Sequence, residues 1–409
     1  MKRNYRVAAI FFLALMFFLL ASYGNTVLAQ ATQVLKLGSF NPRTGLGAAW
    51  GINADRANDL AADERNKKGG ITVQGQRYKI ELIHEDDKGR GEEGVKAANK
   101  LIYTDKVKFI VGPLLSTPFL AAAPIIEATK TVTFVASMAP QVLKDRKYVF
   151  RVTVPFNHSS PAYFKFVSKI YPELKSTVHI TSNDAARLSA EQGDNDACYA
   201  VGIKVLGSEL YEYGAQDFTS MLARILPLKP DFLTFGGTPP NVVGLIIKQA
   251  RELGYKGRFI HTSACSPSVV GPIAGWENIE GMLTGSPTIE GANVPPAIKK
   301  VHSEWVAKYG QENEGGFYDG IIEYPIVEVL SLGIEKANGL DPDKVVAALE
   351  NLGEMNTVLG KARWGGMKTY NNNHQLLPPV WITEVRNKKL ILLGREDAWE
   401  TPPPEQKWR

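Results

Sequence analysis

The chain is poor in cysteine, with two in 409 residues, and its formal charge is nearly balanced at +5. Cys198 and Cys265 are the only thiols available for redox chemistry. They lie far apart in sequence, so a disulfide between them and a pair of buried free thiols both stay open, since a bridge requires Cα atoms within about 7 Å. The uncharged apolar run from Val7 to Ala21 is about 15 residues long, against the roughly 20 that a membrane-spanning helix needs. It follows a basic tip (Lys2, Arg3, Arg6) and precedes Val27-Leu28-Ala29, and it reads as a secretory signal covering residues 1–29. That segment has no cysteine to carry a lipid anchor. Without its three basic residues the net charge falls to about +2, which leaves no clustered basic face of the kind nucleic-acid-binding proteins present.

Chemistry-bearing motifs are also scarce. Six histidines are scattered with no pair at helical ligand spacing, so no metal site is expected. "TGLGAAWG" follows the first strand as a dinucleotide fingerprint would, but Trp50 stands where the third glycine is required and Gly51 arrives one residue late. The stretch reads as a tight turn presenting Trp50 to a cleft, and no cofactor is expected. "HEDD", His84 to Asp87, reads as a solvated loop with Asp86 or Asp87 capping the next helix.

What the chain has in quantity is alternation. Strand-like "VLKLGSF", "YKIELIHEDD", "VKFIVG" and "TVTFVAS" are separated by helix-like stretches. The pattern pauses at "FRVTVPFNHSSP", then resumes with "STVHITS", "DFLTF" and "GRFIHTS". Short apolar runs separated by helices predict parallel strands with helices on both faces. Two such series, in about 380 residues, predict two doubly wound α/β lobes. From Pro295 the chain turns helical, with Asp341 as a cap and Pro342 in the first turn, before a closing hairpin in "PPVWITEVRNKKLILLG".

"FIVGPLLSTP" concentrates the functional signal, because Ser116 and Thr117 sit at a strand end directly before a helix. A serine nucleophile usually occupies a Gly-x-Ser-x-Gly elbow, and Ser116 lies in Leu-Leu-Ser-Thr-Pro, so catalysis is not expected. A helix cap is compatible with both residues. The carboxyl ends of parallel strands are also where ligands bind, and helix N-terminal amides accept anions there. The next strand ends similarly, at Ala136-Ser137.

Taken in order, "HEDDKGRGEEGVKAANKLI", "FIVGPLLST", "YVFRVTVP", "YGAQDFTSMLARI", "IIKQARELGY", "IEGML" and "PPVWITEV" give the whole chain after the signal a likeness. It resembles the type I periplasmic solute-binding proteins of ABC importers, in the branched-chain amino acid (Leu/Ile/Val) branch. The resemblance implies two lobes joined by a three-crossover hinge, no catalysis, and a monomer that delivers a small-molecule ligand to a membrane permease from the periplasm. A related role, signalling to a membrane receptor, uses the same architecture. Lobe 1 is expected over residues 32–153 and 284–366, lobe 2 over 154–283 and 367–400, with a tail at 401–409. By position, Ser116 and Thr117 match the turn that grips the ligand carboxylate, Ala136, Ser137 and Met138 the loop that shares this task, and Trp50 a cleft-lining aromatic. The second lobe departs from the amino acid pattern. Thr238 stands in place of an aromatic, and Ser263 falls near the acid that meets an ammonium group. Arg187 is a candidate partner for a second carboxylate or an aromatic ring. Tyr318 and Asp319 lie where the first lobe also reaches the cleft, and Asp319 is a candidate ammonium partner. The ligand is accordingly expected to be a small carboxylate-bearing solute, an amino acid or an aromatic or aliphatic organic acid.

Overall fold

A computed structural model describes residues 33–45, 47–212 and 214–398, without the side chains of Arg187 and Leu188. The expected signal segment and the tail at 401–409 lie outside the described residues. Six strands come first in the chain: β1 (Gln33–Asn41), β2 (Ile71–Val73), β3 (Gln76–Asp86), β4 (Phe109–Val111), β5 (Val132–Val135) and β6 (Val149–Arg151). Five more follow, β7 (Ser176–Ser182), β8 (Lys204–Tyr211), β9 (Phe232–Thr234), β10 (Arg258–His261) and β11 (Leu283–Thr284). The last five are β12 (Met355–Thr357), β13 (Gly360–Gly365), β14 (Gln375–Leu377), β15 (Val380–Arg386) and β16 (Lys389–Glu396).

They form two sheets, in the orders β12-β13-β14-β6-β5-β4-β1-β3-β2 and β16-β15-β11-β10-β9-β7-β8. The centre of each is parallel, from β6 to β3 in one and from β11 to β8 in the other, with antiparallel strands only toward the edges. Burial explains the composition of the central strands. Phe109 and Val111 of β4 face one apolar cluster with the helix Ala48–Lys67, while Ile110 faces another with the helices Gly91–Asn99 and Ser116–Ala128. A strand covered on both faces has no polar side, so it reads as a continuous apolar run. The second sheet is covered in the same way, Val178 and Leu233 facing one cluster and Phe232 and Ile260 the other.

The chain passes between the sheets three times: after β6, after β11, and between β14 and β15. Because β14 pairs with β6, the last passage falls at Pro378-Pro379, later than the expected change at residue 366. Thr284, expected to open the return to lobe 1, still pairs with Thr383 in the second sheet. Segments from all three passages (Val152–Val154, Gly285 with Pro287, and Pro378-Pro379) line one cavity of about 70 Å³. The hinge is therefore a bundle of adjacent connections.

Local signals explain several boundaries. Asp341 Oδ1 accepts the Lys344 amide at 3.0 Å and Pro342 opens the helix Pro342–Glu350, as the sequence predicts. The apparent pause at "FNHSSP" is instead the start of a helix, Phe156–Ile170, disguised by Pro161 inside it. "HEDD" is no solvated loop. Asp87 is fully buried, His84 pairs with Asp55 and Asp59, and the helix Gly91–Asn99 starts without a side-chain cap.

Candidate functional site

A cleft of about 290 Å³ opens between the lobes at the carboxyl ends of the central strands. That volume is room for about ten water-sized groups. From lobe 1 it is lined by Trp50, Ser116, Thr117, Ala136, Met138, Asp319 and Glu323, and from lobe 2 by Phe156, Asp184, Gly237, His261 and Ser263.

The lobe 1 wall is a turn held from behind. After β4 the chain turns at Gly112, whose φ is +80° and whose added Cβ would lie 2.9 Å from Asn58 Nδ2 and 3.1 Å from Glu323 Oε2. Only glycine takes that conformation in that space at little cost. Asn41 donates from Nδ2 to Asp55 Oδ1 at 2.9 Å and accepts the Leu114 amide at 3.0 Å, tying the turn to the helix Ala48–Lys67. Leu115 then precedes the helix in extended conformation with no side-chain cap. Ser116 is thus the first helical residue, and its hydroxyl does not serve as the helix cap. Instead its Oγ accepts the Ala139 amide at 3.0 Å, which leaves the hydroxyl proton to donate into the cleft. The Ser116 and Thr117 amides have no partner further up the helix, by the geometry of any helix start.

Beneath this corner Arg151 is fully buried. Its Nε donates to Gln375 Oε1 at 2.6 Å and its Nη1 to the Ala139 carbonyl at 3.1 Å, and it lies over the Tyr370 ring at 5.0 Å. Arg151 fixes the loop that closes on Ser116. It also sets a positive charge behind amides and a hydroxyl that already favour an anion.

Carboxyls also line the cleft, Asp319 and Glu323 from lobe 1 and Asp184 from lobe 2. Asp319 Oδ1 accepts the Ser266 amide of lobe 2 at 2.9 Å, while Oδ2 has no partner. Burial pushes the Asp319 carboxyl up to about 7. Glu323, on the following turn, is also buried beside Asn58, and burial together with the Asp55 charge pushes it well above the ordinary carboxylate range, against the lowering effect of a hydrogen bond with Asn58. Asp184 is committed to its own loop, accepting from Ser182 Oγ at 2.5 Å and from the Ala186 amide at 2.8 Å. His261 donates from Nε2 to the Thr238 carbonyl at 2.9 Å and accepts the Ser263 amide at Nδ1 at 3.2 Å, and burial lowers its pKa. Both its nitrogens are occupied, so it offers Ser116 no general base.

The structure brings Trp50, Ser116, Thr117, Ala136, Met138, Ser263 and Asp319 together around one space. It places three other candidates outside the lining. Ser137 is buried and donates to the Pro113 carbonyl at 2.8 Å, so it braces the turn. Thr238 is buried, its Oγ1 3.4 Å from the Ile180 carbonyl, while its neighbours Gly237 and Pro239 face the cleft. Tyr318 packs against the cores of both lobes. Arg187 opens the helix Arg187–Ala200, but its side chain lies outside the description. Cys198 and Cys265 are buried, unbridged, and in separate clusters, which corrects the disulfide option. No group of three or more metal-ligating side chains occurs among the described residues.

Residues 34–389 match the periplasmic binding protein family. The chain belongs to that family. Among its relatives is a leucine-, isoleucine-, valine-, threonine- and alanine-binding protein of Pseudomonas aeruginosa, 29% identical over 82% of this chain and 87% of the relative. The Leu/Ile/Val-binding protein of Escherichia coli K12 is 25% identical over 84% of this chain and 89% of its own length. In structure, a leucine-binding protein of Thermotoga maritima matches with a TM-score of 0.75 at 25% identity, covering 88% of this chain and 98% of the other. An ABC transporter solute-binding protein of Rhodopseudomonas palustris, in complex with benzoate, shares the fold alone, with a TM-score of 0.74 at 19% identity over 89% and 97% of the two chains. Like other periplasmic binding proteins, this one is a solute-binding protein and not an enzyme.

Sequence reasoning about this periplasmic binding protein missed Glu323, Asp184, His261 and Arg151. Glu323 follows Asp319 by four residues in "YDGIIEY", a spacing that places two side chains on one face. Arg151 gave no signal, because a basic residue ending a strand ordinarily reaches solvent.

Proposed function

We propose that the protein is the periplasmic capture component of an ABC importer for a small carboxylate-bearing solute, an amino acid or an organic acid. The observation that carries this reading is the corner at Ser116. Its hydroxyl keeps a free proton, two helix amides lack partners, and a buried guanidinium stands behind the adjoining loop. Each hydrogen bond to a carboxylate there is worth about 1.5–3 kcal/mol. Trp50, Leu114, Met138 and Phe156 supply an apolar surround for the rest of the solute. Closure about the hinge encloses it, because a ligand touching both lobes binds the closed form better than the open one. In this role the chain is exported as a monomer, and its partner is a membrane permease.

A thermal-shift panel of amino acids and organic acids tests the reading. Ligand at 100 times its dissociation constant adds about 2.7 kcal/mol of stability, so a true ligand gives a clear rise in Tm. With the corresponding amides and amines added to the panel, stabilisation only by compounds that lack a carboxylate refutes it.

A further inference from the structure

The cleft adjoins the hinge cavity, and the two spaces share Met138, Thr153, Ser263, Ala264 and Ile322 as walls. Met138 precedes Ala139, whose amide is held by Ser116 Oγ, so the junction lies beside the Ser116 corner. Beyond it the cavity is walled by Val154, Leu359, Val380 and Trp381, with Pro287 and Pro379 from two of the passages between the lobes. No acidic or basic side chain lines it among the described residues. The hydroxyls of Thr153, Thr262 and Ser159 are already committed, to the Ala136 carbonyl at 2.7 Å, to Asp194 Oδ2 at 2.8 Å and to the Pro155 carbonyl at 3.4 Å.

A space of about 70 Å³ has room for about two water-sized groups. Water is a poor occupant, because a buried water needs roughly two to four polar partners, and apolar cavities stay dry until an apolar group fills them. The same walls exclude a charged group. A carbon chain is the occupant they favour, each buried methylene strengthening binding about fourfold. We infer that the hinge cavity is a separate subsite for the apolar end of the solute, an acid whose unbranched carbon chain runs from the Ser116 corner past Ser263 and Ala264 into the hinge. The inference rests on the carboxylate reading above and adds the length and shape of what the carboxylate carries. The subsite is distinct from the apolar surround of Trp50, Leu114 and Phe156, none of which lines the hinge cavity. A chain seated there touches all three connections between the lobes, so it favours the lobe angle that packs around it best.

Titration calorimetry of the wild-type protein with two straight-chain series, the monocarboxylates from propanoate to octanoate and the α-amino acids of the same lengths, tests this directly. Affinity in the series that binds is expected to rise about fourfold per added carbon and to stop rising at a defined length. Two substitutions in the hinge wall move that limit in opposite directions: Val154→Leu fills the cavity and shortens the best length, and Leu359→Ala enlarges it and lengthens the best length. A merely structural effect weakens every member alike and leaves the best length where it is. Movement of the limit in the stated direction in either variant supports the subsite. A limit unmoved by both, affinity independent of chain length, or no binding by either series overturns the inference. Failure of the Ser116 reading looks different: straight-chain alcohols or amides would then bind as tightly as the acids, with the length limit still set by the hinge.

Discussion

Replacing Ser116 by alanine removes two interactions with separate readouts. On the proposed reading the hydroxyl proton is donated to the solute's carboxylate, and losing a hydrogen bond to a charged acceptor costs about 1.5–3 kcal/mol, a rise in Kd of roughly 10- to 150-fold. The hydroxyl oxygen is the acceptor for the Ala139 amide at 3.0 Å, and leaving that buried N–H unsatisfied costs about 1–3 kcal/mol of stability whether or not solute is bound. The expected result is a lower Tm in the empty protein together with the loss of affinity. Ser137→Ala is the matching control, because Ser137 Oγ braces the Pro113 carbonyl at 2.8 Å and does not face the cleft. It should lower Tm and leave Kd within about threefold, below the roughly 0.7 kcal/mol to which that corresponds. Calorimetry with the best hit of the amino acid and organic acid panel, run alongside thermal unfolding of both variants, reads both quantities. Unchanged affinity in S116A, or an equal loss in S137A, refutes the argument.

Other consequences are independent of the solute's identity. Burial disfavours the charged form of His84, but its hydrogen bonds to Asp55 and Asp59 outweigh that and raise its pKa to about 9 from 6.5. A raised histidine contributes stability that is complete below pH 6.5 and is lost as pH climbs through 9, here up to about 3 kcal/mol. Burial holds Asp87 and Asp194 protonated up to about 7, so they too bind more protons folded than unfolded, and stability falls between their ordinary range and pH 7. Denaturant unfolding should therefore show stability declining from pH 5 to 9.5, and His84→Gln should flatten the upper part of that decline; a rise with pH contradicts the assignment. Gly112→Ala forces a Cβ to within 2.9 Å of Asn58 Nδ2 at φ +80°, and should cost at least about 1–2 kcal/mol, with weakened binding because the turn carries Ser116. A native Tm under binding-free conditions would show the turn to be more tolerant. Cys198 and Cys265 should be inert to a thiol reagent until the protein unfolds, then react as two thiols, and Tm should be insensitive to reductant. A reductant-dependent Tm would indicate a bridge.

The fold was legible because burial on both faces leaves a strong mark. β4, β5 and β9 are buried throughout, and each stands in the sequence as a short apolar run between helices. Illegible were elements whose pattern is local compromise. The helix Phe156–Ile170 carries Pro161 inside it and buried serines and a histidine on its face, so neither composition nor apolar period announced it. β14 is three residues long and owes its place in the first sheet to a single parallel pairing, Gln375 with Arg151, across more than two hundred residues of chain. At the site, Ser116 and Thr117 were legible because their position between a strand end and a helix is a local property, whereas Asp319 came from the family resemblance. Ser137 and Thr238 misled for the complementary reason: the residue type was right, but one pleat decides whether a side chain faces the cleft or the interior. The partners of Asp319 depend on how two lobes meet, and no local signal carries that.

A crystal structure of the protein with its best-binding panel compound measures the central claim most directly. The account predicts the compound's carboxylate within hydrogen-bond distance of Ser116 Oγ and the amides that begin its helix, with both lobes closed on it. A bound molecule whose carboxylate points away from that corner, or that leaves Ser116 without contact, contradicts it.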